Sequence, residues 1–192
     1  MNETLLNTTL KRRLLLCAAI LVIIFGTMAM SGGRVLAQES RETGKAGSAM
    51  LALWTGPYGG VPPWHLVRPD EFVDAFDKAI EISKAEIEAI ADCPDPATFE
   101  NTIVALEDAG RTLTRLNALF GVHASNLNVG PMPDAQKIVL PKVAAYGDFV
   151  IQHEKLFARI AKVYESDEMR ELSVAQKRLV EDRYQTFVRR GA

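Results

Sequence analysis

Hydrophobic positions recur with a helical period from Pro69 to the end of the chain. Phe72, Val73, Phe76, Ile80, Ser83, Ile87 and Ile90 follow at steps of three and four, which places them on one face of a helix. Pro69 suits the first helical position, and Asp70 and Glu71 stand where the helix dipole favours anions. Asp92-Cys93-Pro94-Asp95-Pro96 stops that helix. The pattern resumes after Thr98, whose hydroxyl suits an N-cap. Phe99, Ile103, Leu106, Leu113, Leu116 and Phe120 then predict a second helix. Residues 126–133 (NLNVGPMP) break the period, and a third helical stretch is expected from about Asp134, with Pro141 kinking or restarting it. Leu156, Phe157, Ile160 and Val163 predict a shorter helix ending near Ser166. Ser173 and Gln176 form a capping box for the last one, with Leu179, Val180, Tyr184, Phe187 and Val188 on its inner side. Arg189 and Arg190 sit at its negative end, and Gly191 offers a stop. No segment sustains strand alternation, so the expected fold class is all-α with about five helices.

Upstream the pattern differs. Trp54 to Trp64 is dense in Gly, Pro and aromatic residues and cannot be helix. An extended segment is expected there, its Trp and Tyr rings packed on the domain. Gly56, Gly59 and Gly60 do not form a phosphate loop, because no strand precedes them and no helix start follows directly. The polar stretch Gln38 to Ser48 reads as a flexible lead-in. Before it, Lys11, Arg12 and Arg13 precede the unbroken apolar run Leu14 to Phe25, and Val35-Leu36-Ala37 offers a signal-peptidase site ahead of Gln38. The organisation expected is a signal peptide over 1–37, a linker over 38–50 and a helical region over 51–192. Export, with a periplasmic destination, follows as an expectation. The alternative is an uncleaved inner-membrane anchor over residues 14–33, and membrane contact is expected only through this leader.

Composition narrows the function classes. The 192 residues carry 22 Lys+Arg against 24 Asp+Glu, a formal net charge of -2, and losing the leader would remove four basic residues and one acidic one. A near-neutral to acidic chain whose C-terminal basic residues alternate with acids is not expected to bind nucleic acid. The 2 cysteines exclude a disulfide scaffold and a four-cysteine zinc site. Cys17 belongs to the apolar run of the leader. Cys93 lies in a turn with no cation nearby in sequence to stabilise a thiolate, and is read as incidental.

Candidate chemistry is sparse. His153-Glu154 could open the zinc-peptidase motif H-E-x-x-H, but Phe157 occupies the position of the second histidine. His65, His123 and His153 are too scattered to supply three zinc ligands. Ten carboxylates lie between Asp70 and Glu100 with only Lys78 and Lys84 for company, yet Asp70, Asp74, Asp77, Glu81 and Glu88 fall opposite the apolar face, as on a solvated helix. Ser83, Ser125 and Ser173 lack the glycine-flanked elbow of a serine nucleophile. No catalytic, cofactor-binding or metal-ligating residue is assigned.

One block reaches further. Residues 96–107 (PATFENTIVALE), followed by Gly110 and Arg115, resemble the N-terminal signature of the thimet-oligopeptidase family of zinc metallopeptidases, on its bacterial peptidyl-dipeptidase and oligopeptidase A side. Further matches fall in order at Trp54 to Pro63, Phe72 with Ala75-Phe76, Pro141-Lys142, Leu156 to Arg159, Gln176 to Leu179 and Tyr184 to Ala192. Asp74 stands where that pattern expects proline. The resemblance spans about Leu51 to Ala192. It implies a large, almost wholly helical enzyme that encloses short peptides in a channel. Its zinc is held by H-E-x-x-H and a downstream glutamate, all C-terminal to the matched region. The resemblance thus implies zinc as cofactor, short peptides as substrates and a catalytic region that this chain would need as its partner, and it carries no site residue onto any position here.

Overall fold

The computed structural model describes residues 49–58 and 60–191; the leader, the Ala37 junction and the lead-in through Ser48 lie outside the described residues. Helices dominate. Two single-turn 3-10 segments, Trp64–Leu66 and Pro69–Glu71, lead into α1 (Phe72–Ala91). α2 begins as a π-type segment over Phe99–Val104 and continues as α-helix over Ala105–Asp108. There follow α3 (Arg111–Asn126), α4 (Met132–Ile151), α5 (Glu154–Glu165), the one-turn α6 (Glu168–Glu171) and α7 (Val174–Arg190). Among the described residues the only strand-like pairing is one antiparallel bridge, Thr55 with Val61. None of the described helices is long and apolar enough to cross a membrane.

α1 is the spine, because its buried face serves two separate cores. Its first half gives Phe72, Ala75, Phe76 and Ala79 to a cluster with Leu113, Leu116, Leu119 and Phe120 of α3 and Met132, Ala135 and Val139 of α4. Phe120 meets Phe72 and Phe76 edge-on, each at 5.1 Å between ring centres. Such pairs add about 0.5–1.5 kcal/mol beyond area burial. The last turns of α1 give Ile87, Ile90 and Ala91 to a second cluster. That one is completed by Phe99 and Ile103 of α2, Leu156, Ile160 and Val163 of α5, and Val180 and Phe187 of α7. Ser83 sits between the two, fully buried.

The five expected helices are present with two changes. The second is divided at Gly110, which adopts φ +73° and donates its N–H to Glu86 Oε2 at 2.7 Å, so the chain turns between α2 and α3. A β-carbon there would meet only ordinary contacts, Tyr146 Oη at 3.6 Å and Ser83 Oγ at 3.9 Å, so it is the left-handed backbone that calls for glycine. The second change is α6. Pro141 neither restarts nor ends α4, which runs unbroken from Met132 to Ile151. Pro141 lies on the exposed side, where the carbonyl it frees is open to solvent. Val188, expected on the inner side of α7, is 43% exposed.

The segment ahead of α1 departs further from expectation. Trp54 packs against the first core, but the Tyr58 ring is fully exposed, lifted off the domain by a positive φ of 59°. Gly60 closes this loop at φ +121°, and a β-carbon on it would lie 2.7 Å from the Trp54 carbonyl oxygen, so the close approach requires glycine. Met50, at the end of the stretch expected to be linker, is fully buried in the first core.

Candidate functional site

The three histidines occupy unrelated settings. His65 is exposed on the 3-10 segment Trp64–Leu66. His123 is buried in α3 against Phe72 (5.6 Å) and Trp64 (6.1 Å). His153 caps α5: its Nδ1 accepts the Leu156 N–H at 3.2 Å, and its Nε2 lies 3.2 Å from Glu88 Oε2. Phe157, at the position where the zinc motif would need histidine, stacks on Tyr184 and Phe187 in the second core. No group of three or more His, Cys, Asp or Glu that could hold a metal is found among the described residues. The described residues therefore do not fit the zinc that the family resemblance implies, and no step through a metal can be derived from them.

Nor, among the described residues, do the candidate serines and carboxylates assemble a catalytic pair. Ser83 Oγ is buried between the two cores, Ser125 hydrogen-bonds back to the Gly121 carbonyl, and Ser173 is the N-cap of α7. Asp70, Asp74, Asp77, Glu81 and Glu88 are all exposed, as on a solvated face. Burial raises the Glu71 carboxyl above its usual range, with Asp70 and Asp74 pushing the same way against Arg68. The Lys155 ammonium, hydrogen-bonded to Asp92, holds that carboxyl below its usual range.

A groove of about 340 Å³ lies where α1, α2, α4 and α7 meet, floored by Ile87, Leu106, Val150 and Phe187. Arg183 of α7 donates to Glu107 of α2 at its rim, at 2.5 Å. Tyr146 borders it, its phenol raised by burial, with the Ser83 hydroxyl opposing and Glu86 reinforcing that shift. The groove presents apolar surface and one ion pair, with no nucleophile paired to a base.

The arrangement sequence reasoning missed is structural. Arg159 of α5 is 8% exposed and reaches across to the α1–α2 turn and the start of α2. One of its terminal nitrogens donates to the carbonyls of Cys93 (2.8 Å) and Asp95 (3.0 Å), and the other to Asn101 Oδ1 (2.8 Å). Asn101 Oδ1 also accepts the Thr98 N–H at 2.9 Å, while Thr98 Oγ1 accepts the Asn101 N–H at 3.1 Å, the capping box that starts α2. In space, though not in sequence, the Cys93 turn therefore has a cation beside it, spent on the backbone carbonyl. The residues that carried the family resemblance, 98–107 and 156–159, thus meet in space. The only signal for this in the sequence was that both blocks matched one family pattern.

Comparison with known proteins agrees with that resemblance. The chain is 30% identical over 131 residues to the dipeptidyl carboxypeptidase of Escherichia coli, covering 68% of this chain and 19% of that protein. It is 28% identical over 131 residues to the dipeptidyl carboxypeptidase of Salmonella typhimurium, with the same shares covered. To oligopeptidase A of Salmonella typhimurium it is 27% identical over 127 residues, 66% of this chain and 19% of that one. No family model matches the chain. It therefore spans about a fifth of the length of the curated relatives it matches, and kinship and all-α architecture agree with the expectation drawn from residues 96–107. Over about two thirds of its own length the chain is similar to dipeptidyl carboxypeptidase and oligopeptidase A, and it matches about a fifth of theirs.

Proposed function

We propose that this chain is the N-terminal helical portion of an exported zinc metallopeptidase that hydrolyses short peptides, in the manner the names of its relatives describe. The observation that carries the reading is the kinship, together with the role of its most family-like residues. Thr98, Asn101 and Arg159 lock two helices together and touch no candidate site, which suits a supporting wall rather than a catalytic centre. In this reading zinc and its ligands reside in a further region, because this sequence contains no H-E-x-x-H. The helices would form one wall of the peptide channel, and the chain alone is inactive. The leader over residues 1–37 supports export to the periplasm, with anchoring through residues 14–33 as the alternative.

Two experiments test it. The chain, incubated with zinc and a short peptide, should release no product; zinc-dependent turnover would sink the claim of inactivity. The coding sequence read beyond the Ala192 codon should encode H-E-x-x-H in frame. An in-frame stop directly after that codon would instead favour a stand-alone helical binding module. The closed state of the two cores is the observation on the side of that second reading, since Phe72, Phe76, Leu116, Leu156 and Ile160 are fully buried without any partner. A self-sufficient module should unfold cooperatively, whereas a dependent fragment should bind hydrophobic dyes.

A further inference from the structure

The cap of α5 differs in kind from the other two side-chain caps among the described helices. Thr98 and Ser173 cap with hydroxyls, which do not titrate in the neutral range, whereas α5 is capped by an imidazole nitrogen. An imidazole nitrogen accepts a hydrogen bond only while it carries no proton. The Leu156 N–H bond to His153 Nδ1 therefore needs the neutral ring with its hydrogen on Nε2, where Glu88 Oε2 is in place to accept it. The ring is well held: its side chain is 10% exposed, and it meets Phe149 edge-on at 5.5 Å. The charged groups around it are Glu88, Asp92 and Lys84 from α1 and its C-cap, and Glu154 and Lys155 on α5 itself; α4 contributes Phe149 and Gln152. Lys155 is paired with Asp92 at 2.6 Å, and the Lys84 ammonium stands over the Phe149 ring at 5.0 Å, so Glu88 is the carboxylate directly on the imidazole.

We propose that His153 is a pH-sensitive latch at the corner between α4 and α5. A proton on Nδ1 removes the acceptor from the Leu156 N–H, and the imidazolium so formed is retained by Glu88. Acid thereby loosens the first turn of α5 while keeping the ring against α1. Leu156 is fully buried in the second core, so the loosened turn communicates with Ile160, Val163 and Phe187 rather than fraying into solvent.

The test is amide exchange on the whole chain by NMR between about pH 8 and pH 5, the interval in which histidine changes charge. Protection of the Leu156 amide, corrected for intrinsic exchange, should fall about five-fold across that interval, the equivalent of losing a cap of about 1 kcal/mol. The Gln176 amide, capped by Ser173, should keep its protection and serves as the internal reference. His153→Asn, or His153→Asp should the first variant fold poorly, supplies a cap that stays in place over this interval and should abolish the fall. Equal Leu156 protection at both pH values in the wild type would overturn the proposal. So would an unchanged fall in the His153 variants, or nitrogen shifts that put the proton on Nδ1 at pH 8.

Discussion

Replacing Arg159 by methionine isolates the junction between α5 and the start of α2. Methionine keeps the unbranched stem in the second core and removes the guanidinium. Three hydrogen bonds are lost, to the carbonyls of Cys93 and Asp95 and to Asn101 Oδ1. Hydrogen bonds to charged groups contribute about 1.5–3 kcal/mol each, so three independent ones would total about 4.5–9 kcal/mol. The structure argues for much less. Asp95 is exposed and Cys93 half-buried, so their carbonyls can regain water, and Asn101 Oδ1 keeps donors from the Thr98 N–H and Thr102 Oγ1, both at 2.9 Å. The guanidinium is also buried with no carboxylate in the described ion pairs and with its Nε unpartnered, so removing it relieves a desolvation cost. The expected net loss is about 2 kcal/mol, with Arg159→Lys near half of that because one ammonium cannot span all three acceptors. Urea unfolding followed by circular dichroism should show a lower midpoint at unchanged slope. A variant as stable as the wild type, or more stable, would refute the reasoning by showing that burial of the cation cancels its hydrogen bonds.

Three further outcomes are expected. Gly110→Ala should cost about 1–2 kcal/mol through left-handed backbone strain alone, since its β-carbon has room; a neutral result in thermal unfolding would mean that the α2–α3 turn relaxes freely. Ser173→Ala should cost about 1 kcal/mol and Ser173→Asp almost nothing, and equal losses for both would argue against the capping box at α7. The Tyr146 phenol is raised by burial, so its folded form holds the proton above the unfolded value. Its contribution is therefore complete below about pH 10 and is lost as pH rises through the folded pKa. Tyr146→Phe should flatten that alkaline decline in a denaturation series, and a decline identical to wild type would remove Tyr146 as its source.

The helical period alone marked Phe72, Phe76, Ile87, Phe99, Ile103, Leu116, Leu156, Ile160 and Phe187 as inward-facing, and all of them are buried. Periodicity carries this information because a 3.6-residue repeat puts those positions on one stripe whatever the partner is. The same chain gave no means of telling one helix from two at Gly110, since a lone glycine costs a helix only about 1 kcal/mol and is often tolerated. The choice was made by the Glu86 carboxylate, 24 residues away, which holds the Gly110 N–H.

The candidate site follows the same division. That Phe157 defeats the zinc motif could be read directly from residue order, because two ligands one helical turn apart are a local requirement. Where Phe157 goes instead, into a stack with Tyr184 and Phe187, depends on α7 lying against α5. By itself the sequence determined most helix faces, the Thr98 and Ser173 caps and a resemblance to known peptidases, all of which rest on neighbours within a turn or on residue order. Tertiary structure alone decided that α1 serves two cores, that Arg159 reaches the α2 cap, and that Glu88 meets His153 across 65 residues. Those contacts depend on which surfaces are brought together, and no local period encodes that.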